Sequence, residues 1–293
     1  MTEPPKASEP PKASGPLKAT GPATVMAPAT AQGPAMVMAP AMVMGNATVM
    51  APATAQGPAT VMAPATVMGP GAVTRIAVVV PAHDEETLLR ACLDALAVAA
   101  AAVPVPVEIV VVADACTDRT EAIAAEAGAE VVTLAARNVG RARNAGMAHA
   151  LRHGPETLWL ATTDADSRVR PDWLVWHLNH AQAGADLIAG TVRVDDWTCW
   201  PAGLPEHYEE HYRRAAGAHV HGANLGIAAA TYVATGGFPT LTHDEDQVLL
   251  RRARALQARI VMDPACPVHT SARRLARAPL GFAAHLALLE VGL

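Results

Sequence analysis

From Arg75 onward the chain alternates between short β-branched runs and Ala/Leu-rich stretches of helical period. Ile76 to Val80, Ile109 to Val112, Glu130 to Thr133 and Leu158 to Ala161 read as buried strands. Glu86 to Ala99, Arg119 to Ala127, Arg141 to Arg152 and Asp172 to Ala183 read as the helices between them. This alternation predicts a mostly parallel, Rossmann-like sheet flanked by helices. Such sheets bind ligands beyond the carboxyl ends of their strands, so the chemistry belongs in the turns there.

Residues 1–72 show neither period. They are almost all Ala, Pro, Thr, Val, Met and Gly, and residues 23–35 recur unchanged at 47–59 within a 24-residue tandem duplication. Pro every few residues breaks any helix, and small side chains bury too little surface to offset ordering entropy, so this segment is expected to be a disordered tail. A spacing or partner-binding role and a translation start at Met62 or Met68 both stay open. The remainder, 73–293, is long enough for one large α/β domain.

Charge and cysteine content narrow the classes further. Of 22 basic and 27 acidic residues, the tail holds three lysines and two glutamates, which leaves 19 arginines against 25 carboxylates. A mildly acidic domain argues against nucleic acid as a partner. Cys92, Cys116, Cys199 and Cys266 lack finger or redox spacing, which fits reduced thiols in a cytoplasmic protein. The longest apolar stretch, Ala95 to Val107, is shorter than the ~20 residues of a membrane span and is broken by Pro104 and Pro106, so no transmembrane segment is expected.

The turns at the strand ends are acidic: PAHDEE (Pro81–Glu86), DACTDRT (Asp114–Thr120) and DADS (Asp164–Ser167). Asp118 reads as a cap for the helix that follows it. Capping alone accounts poorly for three acidic turns on one sheet edge. Neither a dinucleotide fingerprint nor a P-loop follows a strand, and GRARNAG (Gly140–Gly146) is a weak match to a phosphate cradle. Carboxylates facing a phosphate ligand need a bridging cation, for which Mn²⁺ or Mg²⁺ is the usual choice.

The order of these motifs resembles that of the family 2 glycosyltransferases, inverting enzymes of GT-A fold that use nucleotide sugars. VVVPAHDEE resembles the family's first strand and Pro-Ala-Tyr-Asn-Glu-Glu turn, with His83 and Asp84 in place of Tyr and Asn. DACTDRT resembles its Asp-x-Ser-x-Asp-x-Thr motif with Cys116 and Thr117 changed, GRARNAG its Ala-Arg-Asn-x-Gly segment, and DADS its Asp-x-Asp metal motif. HGANLGI (His221–Ile227), GGFP (Gly236–Pro239) and HDED (His243–Asp246) continue the series.

The resemblance implies a role for each position. Asp114 would accept from the donor's base, with Glu85 and the Pro81–Ala82 backbone beside the nucleoside, and Arg143 would steady base or diphosphate. Asp164 would hold donor hydroxyls and Asp166 the metal. Asp246 would be the catalytic base and Glu245 would orient hydroxyls. His269 stands between a metal ligand and a structural histidine, and Arg273 and Arg274 between a diphosphate clamp and a solvated basic helix start. Trp197, Trp200, Tyr208 and Tyr212 read as core more than as a sugar platform.

The implied donor is a UDP-sugar, with GDP-mannose as the alternative, and the implied acceptor is a small molecule, a glycan or a lipid-linked intermediate. A sugar nucleotidyltransferase and a non-catalytic nucleotide- or sugar-binding module are the competing readings.

Overall fold

A computed structural model of the chain describes residues 72–214, 220–241, 243–274 and 281–292. The tail read as residues 1–72 lies outside them except for Ala72. The first half runs β1 (Arg75–Ala82), α1 (Leu89–Ala101), β2 (Val107–Asp114), α2 (Thr120–Glu126), β3 (Glu130–Leu134), α3 (Val139–Ala150) and β4 (Leu158–Thr162). The second half runs β5 (Ser167–Arg168), α4 (Trp173–Gln182), β6 (Leu187–Ala189), β7 (Val192–Val194), α5 (Leu204–Arg214), β8 (Leu225–Ala228), α6 (Ala229–Thr235), α7 (Glu245–Ala255), β9 (Ile260–Met262), β10 (Val268–Thr270) and α8 (Phe282–Val291).

Seven strands form one sheet in the order β3-β2-β1-β4-β8-β6-β9, parallel throughout except for β8, which runs against both of its neighbours. A smaller sheet, β5-β10-β7, stands apart from it. The strands read as continuous apolar runs because the large sheet is covered on both faces. Ile76, Val78 and Val80 pack with Leu89, Leu93 and Leu96 of α1 and with Trp173 of α4. The alternate residues Ala77 and Val79 pack with Met147 of α3, Tyr232 of α6 and Leu249 of α7. Gly146 lets α3 lie close on the sheet, because a Cβ there would run into Val79 and Val112. That glycine of GRARNAG therefore serves packing.

Helix α1 starts three residues later than the periodicity suggests. Residues 86–88 instead form a turn in which the Glu85 carbonyl accepts from Leu88 and Leu89 N–H, and Glu86 N–H is bound by Asp118. The aromatic segment is core as expected: Trp200, Leu204 and Tyr208 pack with Leu286 and Leu289 of α8, with Trp197 and Tyr212 against them. No helix of the described residues is long and apolar enough to cross a membrane.

His177 of α4 is fully buried, with the Trp173 ring edge-on at 4.4 Å and the Trp159 indole donating to its Nδ1 at 3.2 Å. Burial, helped by His180 on the same helix, pushes its imidazole down to about 3. The unfolded chain takes up a proton there below roughly pH 6.5 while the folded one does not. Stability should therefore fall as pH drops from about 6.5 towards 3, by up to ~1.4 kcal/mol per pH unit from this group. His177→Gln should make the pH slope of urea unfolding shallower by about one proton between roughly pH 6 and 5. Equal slopes in the two proteins would show that His177 is not the group responsible.

Candidate active site

The turns after β1 and β2 are tied together by reciprocal hydrogen bonds. Asp84 accepts from Thr117 N–H (2.7 Å), Asp118 from Glu86 N–H (3.0 Å), and Glu86 from Arg119 N–H (3.2 Å). Arg119 takes the cap position of α2, but Asp118 still accepts from the N–H of Thr120, the first helical residue, at 2.9 Å. Asp114 is buried, and its two oxygens take the backbone N–H groups of Ala136, Arg137 and Asn138 at 2.6 to 2.9 Å. It therefore anchors the loop after β3, and a base would have to use the lone pairs that remain.

Beyond the end of β4 lies a cleft of about 770 Å³ whose lining includes Asp166, Asp195, His269, Ser271, Arg273 and Arg274. Arg273 grips Glu85 with two parallel bonds of 2.7 Å and reaches Asp166 at 3.0 Å. Burial, with Asp164 and Glu85 nearby, raises the Asp166 carboxyl to about 6 although Arg273 opposes the shift. Asp164 and Glu85 thus crowd negative charge around Asp166, which a cation would relieve. His269 faces the same cleft, and its Nδ1 lies 2.6 Å from Asp195 Oδ1. That bond leaves Nε2 as the coordinating nitrogen, an arrangement usual for metal-binding histidines. Asp166 and His269 line one cleft, and a carboxylate with an imidazole are donor types that Mn²⁺ or Mg²⁺ accepts, so the residue types present fit the expected ion.

A second group of charges lies inside the fold. Arg143 of α3 is only 3% exposed and pairs with Asp164 Oδ1 at 2.5 Å and with Glu245 of α7. Gly222 is needed beside it, because a Cβ there would strike the guanidinium. Arg143 therefore links the DADS turn to the first turn of α7 instead of lining the cleft. Asp246, the next residue on α7, accepts from Gly222 N–H at 2.8 Å and from Gln247 N–H at 2.7 Å. Burial and the adjacent Glu245 raise its carboxyl to about 6 against the pull of Arg143 and these two bonds.

The predicted residues thus fall into two groups joined through DADS: Glu85, Asp166, Arg273 and His269 at the cleft, and Asp164, Arg143, Glu245 and Asp246 around the buried guanidinium. Pro81 and Ala82 end β1, in register with Val112 and Ala113 of β2, so Asp114 lies one residue beyond them. Arg274, which also lines the cleft, pairs with Glu290 and lies over the Trp200 ring at 4.4 Å, which fastens α8. Sequence reasoning passed over Asp195. The signal was there, an acidic pair directly after the short β-branched run VRV.

The profile described as Glycosyl transferase family 2 matches residues 77–235, more than half of the chain. The chain belongs to that family. Membership of that family agrees with the glycosyltransferase reading over the nucleotidyltransferase one. Solved structures agree on the GT-A fold. S. aureus TarS 1-349 in complex with UDP-GlcNAc aligns at TM-score 0.54 and 19% identity over 74% of this chain and 66% of that one. Glucosyl-3-phosphoglycerate synthase from Mycobacterium tuberculosis with Mn²⁺, UDP and phosphoglyceric acid aligns at 0.52 and 19% over 75% and 79%. The mannosyltransferase PcManGT from Pyrobaculum calidifontis with GDP-Man and Mn²⁺ aligns at 0.52 and 20% over 69% and 58%. This chain spans just under two thirds of the TarS fragment and 42% of a longer TarS chain. No curated protein matches it by sequence.

Proposed function

We propose that this glycosyltransferase moves a sugar from a nucleoside diphosphate to an acceptor hydroxyl with inversion, assisted by Mn²⁺ or Mg²⁺, and that Asp246 is the general base. The observation that carries this reading is the Asp164–Arg143–Glu245 bridge, which fixes the DADS turn against α7 with the raised carboxylate of Asp246 beside it. Asp166 and His269 would hold the cation, with Asp195 orienting the imidazole. When bound, the cation neutralises charge growing on the departing diphosphate. Arg273 contributes a second positive charge at that place. Asp246 takes the proton from the acceptor hydroxyl as it attacks the anomeric carbon opposite the leaving group, which inverts that centre. Glu245, bound to Arg143 and 5% exposed, is read as a positioning residue.

The donor is read as a UDP-sugar, with GDP-mannose second. Complexes of structural relatives with UDP-GlcNAc and with GDP-Man fit either choice. Acceptors of the small-molecule, glycan or lipid-linked kinds suit the open cleft.

UDP with Mn²⁺ should raise the melting temperature of the wild type, since ligand at a hundredfold excess over Kd stabilises by about 2.7 kcal/mol. Asp166→Ala should melt cooperatively without that shift. Undiminished UDP binding in excess chelator would rule out the metal assignment. The anomeric configuration of the product, read by NMR, tests inversion.

A further inference from the structure

We propose that His83, Asp84 and Cys116 form a zinc site separate from the cation site at Asp166. One ligand atom from each, an imidazole nitrogen, a carboxylate oxygen and the thiol sulfur, all lie within 4.8 Å of one another, and all three side chains are partly buried. His83 and Asp84 stand in the turn after β1 and Cys116 in the turn after β2, so a shared ion joins two neighbouring strand ends.

Each nitrogen and oxygen ligand is already aimed. His83 Nδ1 lies 2.7 Å from the Asp114 carbonyl, which can only accept, so Nδ1 carries the proton and Nε2 keeps its lone pair. That Nε2 is 3.8 Å from Asp84 Oδ2. The other Asp84 oxygen is held by the Thr117 N–H and hydroxyl, leaving Oδ2 for an ion. Ligands oriented by outer hydrogen bonds in this way are the usual construction of metal sites. Cys116 Sγ points at the Ala82 carbonyl, 3.5 Å away. On coordination the S–H bond breaks, its proton leaves to solvent, and the thiolate electron pair forms the sulfur–zinc bond.

The donor set selects the ion. Thiolate with imidazole and carboxylate suits Zn²⁺, whereas Mg²⁺ and Mn²⁺ favour all-oxygen or oxygen-rich sets. Bond lengths of about 2.0–2.3 Å in a tetrahedron put ligand atoms roughly 3.3–3.8 Å apart, within reach of small side-chain rotations from the present spacing. The fourth position is left to water.

The test uses metal-stripped full-length protein titrated with Co²⁺ and, separately, Zn²⁺. Co²⁺ should develop one equivalent of thiolate-to-metal charge-transfer absorption with tetrahedral visible bands, and Zn²⁺ should abolish it and raise the melting temperature. The band should vanish in Cys116→Ser, need at least about tenfold more Co²⁺ in His83→Gln, and persist in Cys199→Ser and Asp166→Asn. Absence of the band in the wild type, or its survival in Cys116→Ser, overturns the proposal. If Cys116→Ser does not melt cooperatively, His83→Gln decides, and unchanged Co²⁺ affinity in that variant overturns it equally. None of these readouts depends on sugar transfer.

Discussion

Arg143→Met should cost about 3–5 kcal/mol of folding stability, measured by urea unfolding near neutral pH. The guanidinium is fully buried between Asp164 and Glu245, and both carboxylates hold it in its charged form against the desolvation that opposes charge. Such an ion group contributes little net stability when complete, because desolvating three charges offsets most of their attraction. Removing only the cation is different. Glu245, 5% exposed, would keep a buried charge without its partner and would have to protonate or move towards water. The double variant Arg143→Met with Glu245→Gln should recover part of the loss, because the orphaned charge goes with its partner. A single-variant loss under ~1 kcal/mol would mean that water reaches the site and the bridge is not buried in solution.

The same residue shows where sequence reading stops. The periodicity put Arg143 in a helix after the third strand, but its partner Glu245 lies 102 positions away and no local pattern names it. Arg273 and Glu85, 188 positions apart, are the same case. The strands β1, β2 and β4 were legible because their apolar runs are long and largely buried, and the edge strand β3 was legible from its β-branched run although Glu130 and Thr133 are exposed. Strands β5, β7 and β10 span two or three residues each, too short for any period to register. In α7 the buried residues are Glu245, Leu249, Leu250 and Ala253, which no local apolar period picks out. Leu256 is 38% exposed because it sits past the last helical residue, where the chain turns away.

Asp246→Asn should keep the fold and the donor affinity and lose at least ~10²-fold in kcat. The helix-start position alone suggests a lowered pKa, from the dipole and free N–H groups of the first turn. The Gly222 and Gln247 N–H groups and Arg143 do act in that direction, but burial and Glu245 outweigh them and leave the carboxyl near 6. A base is best placed with its pKa close to working pH, which is what this balance produces. The active form is the ionised one, so kcat/KM should rise with pH through about 6 and level off above it. The Asn variant should lose the share of this rise that Asp246 contributes, while Asp166, also raised to about 6, keeps its own. Capping does not explain the residue, since the cap position belongs to Asp244, which makes no side-chain cap bond and pairs with His243 instead. Asn should still accept from Gly222 N–H, so a kinetic loss without loss of stability would separate proton transfer from architecture. If Asp246→Asn turns over like the wild type while Glu245→Gln does not, the base is one residue upstream, and Arg143 would then have to release Glu245 during each catalytic cycle.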